Sequence, residues 1–384
     1  MKRIRIAPRP DWRETAEHYG FRFHTFDGER YWDESAYYQF SLAQIEQDLE
    51  EPTRELHEMC MDLVGRVVDS ERLLDRLAIP AAYHDLVRDS WKQRQPHLYG
   101  RMDLCYDGHG PAKLLETNYD TPTSLYEASF FQYLWLEQQM QRGQLPPDCD
   151  QFNSLEEKLT EVFRAGRFQT PFYFSSVKGS VEDRGTVEYL CDIARDVGLD
   201  ARLIDIEAIG LASNGRFVDE QNAAIATLFK LYPWEHMFQE DFGPAIAGSS
   251  TLFLEPAWKA ILSNKGALAL LWELHEGHPN LLPTFFDNDP GQPLDNGWVR
   301  KPFFSREGAN IEIRTDKGRR IYQNGPYRDG SHIRQKFHAL PCFDGNYTVI
   351  GSWVIGDLPA GIGIREDDSL ITQDSSRFLP HVIA

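Results

Sequence analysis

The chain has 384 residues, with 40 Lys and Arg against 59 Asp and Glu, a net charge of −19, 41% hydrophobic residues and 26% charged ones. Length and apolar share suffice for a large core, which excludes disorder. The absence of clustered basic residues excludes nucleic acid as a partner and disfavours an anionic membrane surface. So acidic a chain suits a cationic small molecule or a metal with a phosphorylated ligand, and equally serves solubility alone.

In chain order, Met1 to Pro10 is basic but lacks the apolar core of a signal peptide, and no apolar stretch approaches the length of a membrane span. Tyr38, Leu42, Ile45 and Leu49, then Leu56, Cys60, Leu63 and Val67, recur at three- and four-residue spacing and predict helix from Ser35 to about Leu77, divided at Pro52. Further helices are expected at about 123–141 and 154–165. From 170 onward, short runs such as Phe172-Tyr173-Phe174 and Leu203–Ile206 alternate with helical stretches, a mixed α/β texture. In the last ninety residues, Trp298–Phe304, Ile311–Arg314, Tyr347–Gly356 and Gly361–Arg365 read as strands of an antiparallel sheet. The aromatic share of 12% is high, and most of those rings belong in a core. Cys60, Cys105, Cys149, Cys191 and Cys342 are odd in number and form no Cys-x-x-Cys, so neither a zinc site nor a disulfide framework is indicated. A reduced, cytoplasmic setting is expected.

One segment concentrates chemistry. Arg101–Tyr106 and Ala112–Asn118 are strand-like runs around Asp107-Gly108-His109-Gly110-Pro111, a hairpin signal. With the turn centred between His109 and Gly110, Arg101 faces Asn118 and Asp103 faces Glu116. The period of two puts all four on one side, with Met102, Leu104, Leu115 and Thr117 on the other. Opposed carboxylates repel unless a cation separates them, and two carboxylates with an amide oxygen suit Mg²⁺. A solvated outer face is the plainer reading. Tyr119–Ser124 adds hydroxyls at a helix start, where Thr121 and Thr123 serve as caps or as anion contacts. Downstream, Lys301 ends a strand before the small-residue turn Ser305–Asn310. Such a turn can cradle phosphates by its backbone N–H groups, although no Walker sequence is present and a plain hairpin fits as well.

Arg101-Met102-Asp103, Glu116–Thr121, Asn264-Lys265, Lys301-Pro302, the Ser305–Asn310 loop, Gln335–His338 and Gly363–Leu370, in this order, resemble the synthetase module of the glutathionylspermidine synthetase family. Within that family they are closest in kind to its amidase-free acid–amine ligases. The resemblance runs over essentially the whole chain. It implies one ATP-grasp unit over 1–384, with a helical part plus the metal-site hairpin at 1–165, an α/β substrate region at 166–260 and an ATP-binding region at 261–384. It implies an enzyme joining a peptide- or glutathione-like carboxylate to a polyamine-like amine through an acyl phosphate, with ATP and Mg²⁺, two ions being expected.

By the same resemblance, Arg101 stabilises the transition state, Arg306 closes over the γ-phosphate, and Asp103, Glu116 and Asn118 hold metal. ATP is contacted by Arg101, Met102, Asp103, Lys265, Lys301, Gly308, Ala309, Gln335, Ser369, Leu370 and Ile371. The substrates meet Thr121, Thr123, Glu182, Asp183 and Arg365, the two acids facing the amine. Small-molecule acid and amine substrates are the implied partners, and a homodimer is admitted. The chain also departs from the pattern. It starts too late for the Cys/His amidase domain, so no hydrolysis of the amide is expected. Glu307 stands where those enzymes have a cysteine, Thr121 and Thr123 replace serines, and Leu231 replaces a glutathione-contacting threonine. Two other readings remain: a non-catalytic nucleotide or polyamine sensor that retains the fold, and a phosphotransferase releasing a phosphorylated small molecule.

Overall fold

The computed structural model describes residues 1–26, 28–289, 295–327, 330–373 and 376–384. Its architecture is mixed α/β, and among the described residues three sheets position the site. The first is parallel and pairs Leu252–Leu254, Thr227–Lys230, Phe172–Ser176 and Ala201–Asp205 in that order. Helix Val181–Asp196 connects Phe172–Ser176 to Ala201–Asp205, as parallel neighbours require. The second is antiparallel and runs Thr284–Phe286, His332–Lys336, Trp298–Pro302, Glu312–Arg314, Arg320–Tyr322.

The third joins distant chain segments. Strand Asn346–Ile355 lies between Leu358–Asp367 on one side and Tyr99–Cys105 on the other, and Lys113–Asn118 completes the hairpin. The expected C-terminal antiparallel sheet is therefore two sheets, one of which takes in the early hairpin. Most of the sequence-visible strands recur within a residue or two of their expected ends. Helix Leu155–Ala165 agrees with its expected 154–165, and the helical run to Gln141 begins at Leu125.

One expected element differs. Ala36–Phe40 is a strand, antiparallel to Lys2–Arg5 and parallel to His381–Ile383. Tyr38 and Phe40 are buried on one of its faces, which extended period-two geometry satisfies as well as helical spacing does. Beyond it, Leu42 to Val67 is continuously helical and passes through Pro52 without stopping. A π-turn over Glu46–Glu50 comes just before the proline, and Thr53 Oγ1 donates to the Leu49 carbonyl at 2.6 Å.

The aromatic rings do build the core. Trp32, Trp135, Trp234, Trp258 and Trp353 are among the largest fully buried side chains. Two buried ion pairs brace the region beside the hairpin. Lys230 pairs with Asp120 at 2.5 Å and Lys259 with Glu255 at 2.5 Å. Asp120 also accepts the Trp234 N–H, and Glu255 accepts the Leu98 and Tyr99 N–H groups, so each buried carboxylate is both paired and hydrogen-bonded. No described helix is long and apolar enough to cross a membrane.

Candidate functional site

The hairpin register is the expected one at its charged end: Arg101 lies opposite Asn118, Met102 opposite Thr117 and Asp103 opposite Glu116. A bulge follows, so that Leu104 opposes Leu114 and Cys105 opposes Lys113. The bulge reverses the expected placement of Leu115. Leu114 enters the core beside Met102 and Leu104, while Leu115 packs with Cys105, Leu340 and Val349 and borders the cleft.

Arg101, Asp103, Glu116 and Asn118 thus line one cleft of about 490 Å³. It is closed on its other sides by Thr121 to Ser124, the start of helix Val181–Asp196, the Leu231–Pro233 turn, the Ser305–Gly308 turn, and the Leu370–Gln373 segment. Of the sequence-expected site residues, Arg101, Asp103, Glu116, Asn118, Thr121, Thr123, Glu182, Asp183, Lys301, Arg306, Gly308, Gln335, Arg365, Leu370 and Ile371 all border it. Four do not. The Met102 side chain is in the core, because its neighbours in the strand take the cleft face. Lys265 sits behind Glu116, at 3.2 Å, with Nζ on the Ser305 carbonyl at 2.5 Å. Ser369 spends its hydroxyl on the Ile371 N–H, and the Ala309 N–H closes a turn onto the Arg306 carbonyl.

Charge is distributed unevenly along the cleft. On the hairpin, Asp103 is held between Arg101 (Nε–Oδ1 2.8 Å) and Arg365 (Nη2–Oδ2 2.6 Å), and Arg101 also donates to the Thr123 carbonyl at 2.7 Å. Burial opposes ionisation of Glu116, but Lys265, Lys301 and the Asn118 amide outweigh it and hold the carboxyl well below its usual range. Lys301 donates to the Leu115 carbonyl at 2.9 Å and to Gln335 Oε1 at 2.8 Å. Burial, reinforced by Lys265, pushes its ammonium down to about 8. On helix Val181–Asp196, Ser180 caps the start by accepting the Asp183 N–H, and Glu182 and Asp183 follow in the first turn. Burial first, and Asp183 second, push Glu182 up to about 7, and burial likewise raises Asp183.

Two glycines make this geometry fit. A Cβ at Gly351, in the strand beside the hairpin, would lie 2.8 Å from Arg101 Cδ, so glycine leaves the floor across which Arg101 lies. At Gly308, φ is +69° and a Cβ would meet the Ile371 side chain at 2.3 Å and the Thr372 carbonyl at 2.7 Å. The turn therefore packs directly against the segment opposite. The sequence reading missed Gly351, and also Glu235, which ion-pairs with Arg306 of the Ser305–Asn310 loop. Only a lone acidic residue in Lys230–Glu235 marked the latter.

A family model described as glutathionylspermidine synthase preATP-grasp matches residues 3–384. A Haemophilus influenzae protein named "Putative acid--amine ligase" is 38% identical over 398 residues, covering 99% of each chain. Trypanothione synthetase of Crithidia fasciculata is 26% identical, over 84% of this chain and 53% of its own. The bifunctional glutathionylspermidine synthetase/amidase of Escherichia coli is 25% identical, over 91% of this chain and 60% of its own. This chain thus spans a little over half of those two longer relatives. Among solved structures, a glutathione synthetase-like effector of Globodera pallida shares the fold, with a TM-score of 0.57 at 12% identity over 98% of each chain. The chain belongs to the glutathionylspermidine synthase family.

Proposed function

We propose that the protein is an ATP- and Mg²⁺-dependent acid–amine ligase with an ATP-grasp fold, joining a peptide- or glutathione-like carboxylate to a polyamine-like amine through an acyl phosphate. Ligase class follows from family membership; the ATP-grasp fold, the kinds of substrate and the acyl phosphate are what the family resemblance implies, and the lining of the cleft supports them. The carrying observation is its split charge. In a chain of net −19, Arg101, Arg365 and Lys301 line the cleft around Asp103 and Glu116, with Lys265 behind Glu116, while Glu182 and Asp183 border it from the start of helix Val181–Asp196. A polyphosphate suits the first group and an ammonium the second. Beside the lysines, Val299, Ile313 and Ile371 form an apolar patch with Leu370 and Phe337, a surface fit for a nucleobase.

Mg²⁺ fits the donor set. No group of three or more His, Cys, Asp and Glu is placed for a metal among the described residues. What Asp103, Glu116 and Asn118 offer is two carboxylates and an amide, the sparse protein share of an ion that keeps water and phosphate oxygens. Those residues would hold it, and it would supply charge neutralisation on the phosphate oxygens. The remaining work falls to the chain. Arg101 and Arg365 exchange Asp103 for phosphate oxygens, with Arg101 offering a fork already anchored on the Thr123 carbonyl. Arg306 leaves Glu235 to cover the terminal phosphate, and Glu182 and Asp183 orient the amine and stabilise its ammonium form on docking. In this reading the enzyme works in the cytoplasm on small molecules, as a monomer or a homodimer.

The test is a mixture of protein, ATP and Mg²⁺ with peptide acids and polyamines, read by phosphate release and by mass spectrometry of an amide product. ADP formed without any amide, under every pairing, sinks the proposal. Two variants refine it. Glu182→Gln with Asp183→Asn is expected to raise KM for the amine by about 10-fold or more, with KM for ATP unchanged. Nucleotide affinity carries its own pH signature, because a phosphate favours protonated Lys301. Affinity should fall by up to about tenfold per unit as pH rises above about 8, and Lys301→Gln should flatten that slope in calorimetry.

A further inference from the structure

Behind the acidic end of the cleft lies a carboxyl that none of these roles uses. Glu127 opens the π-turn Glu127–Phe131 and is fully buried. Its Oε1 accepts a hydrogen bond from the Tyr31 hydroxyl, and its Oε2 meets no donor. An ionised carboxylate in such a place is costly unless a cation compensates it, and no cation pairs with Glu127 among the described residues. The groups that face it are few. Tyr31 comes from the loop before Ala36–Phe40, Glu182 from helix Val181–Asp196, Arg101 from the hairpin, and Tyr126 from its own turn. Burial first, then the charge of Glu182, push Glu127 up to about 8, with the Tyr31 hydrogen bond and Arg101 pulling weakly the other way. Tyr31 connects this carboxyl to the cleft. Tyr31 borders the cleft, and its hydroxyl also lies 3.3 Å from Ser124 Oγ.

We propose that Glu127 is a positioning residue for the amine, acting through the Tyr31 hydroxyl as a proton reservoir behind Glu182 and Asp183. This rests on the amine end of the cleft as read above. Glu127 is neutral in the empty cleft. When an ammonium docks beside Glu182, its charge favours ionisation, and the proton on Glu127 leaves to solvent. Before attack, one N–H bond of the ammonium breaks. That proton passes to the Tyr31 oxygen as the Tyr31 proton passes to Glu127 Oε1. The products are a neutral amine with a free lone pair and a Glu127 protonated once more.

The experiment is infrared spectroscopy of the full chain near neutral pH, with spermidine as the probe. The wild-type-minus-E127Q difference spectrum should show the carbonyl stretch of a buried carboxylic acid, apart from any signal that Glu182 and Asp183 give in both proteins. Spermidine should erase it, and calorimetry in buffers of differing ionisation enthalpy should show wild type releasing about one proton more than E127Q. E127Q and Tyr31→Phe should both lower kcat by about 10- to 100-fold and flatten its pH profile, with nucleotide affinity, the check on folding, unchanged. A wild-type-minus-E127Q difference spectrum without that band, or equal proton release by both proteins, overturns the inference. So does a band unmoved by spermidine while spermidine is being turned over, and in that case the proposed function stands. No amine-dependent turnover with any acid overturns both.

Discussion

Arg101→Ala is expected to lower turnover by about 10³-fold or more while leaving a folded protein, because its guanidinium is the best-anchored cation in the cleft. It lies across Gly351, 5.6 Å from the Trp353 ring centroid, and is fixed by the Asp103 carboxylate and the Thr123 carbonyl. Once Asp103 gives way to phosphate, the Thr123 carbonyl and the Gly351 floor still hold the group, so it needs little reorganisation when charge develops on a transferring phosphoryl, which is where a fixed cation lowers a barrier most. Stability should suffer less, by about 1–3 kcal/mol, because Asp103 keeps Arg365 at 2.6 Å and is not left as an unpaired buried charge. Arg101→Lys should recover only part of the activity, since an ammonium keeps the charge but loses the planar fork. Steady-state rates beside thermal unfolding separate the two effects. Turnover within a few-fold of wild type would remove Arg101 from the chemistry.

The charged end of the hairpin was legible in the sequence because alternation is a local rule. Arg101 with Asp103, and Glu116 with Asn118, differ by two residues, so each pair shares a face, and a turn centred between His109 and Gly110 puts both pairs on the same one. The bulge after Asp103 was not legible. It depends on how Leu114 meets a core built from segments far away, and it exchanges the places of Leu114 and Leu115 without altering the pattern of apolar residues. Ala36–Phe40 failed for a related reason. Its partners are the two chain termini, Lys2–Arg5 and His381–Ile383, and no local spacing announces such a pairing. The site residues that went unseen share this property. Arg306 meets Glu235 across 71 positions, and Tyr31 meets Glu127 across 96. The order of motifs pointed to the family, whereas the pairing that sets each group's charge exists only in the folded chain.

Glu116→Gln is the sharper test of how the cleft handles metal and phosphate together. Glu116 is ionised because Lys265, at 3.2 Å, and Lys301 face it, and those two buried ammonium groups rely on it in turn. Neutralising the carboxyl without changing its shape leaves both lysines under-compensated. Nucleotide without metal should then bind more tightly than in wild type, because phosphate replaces the missing negative charge and no carboxylate repels it. The same variant loses one of two carboxylates offered to Mg²⁺, so the strengthening of nucleotide binding by Mg²⁺ should shrink. Turnover should fall by about 10²–10³-fold, the equivalent of a few kcal/mol of lost charge stabilisation. Thermal unfolding gives an independent reading. The variant alone should melt below wild type, and ATP with a chelator should raise its melting temperature by more than it raises that of wild type. These opposite signs discriminate between two roles for the residue. A Glu116 that serves only to neutralise lysines predicts the tighter metal-free binding but no change in the Mg²⁺ effect, whereas a Glu116 that also meets the ion requires both.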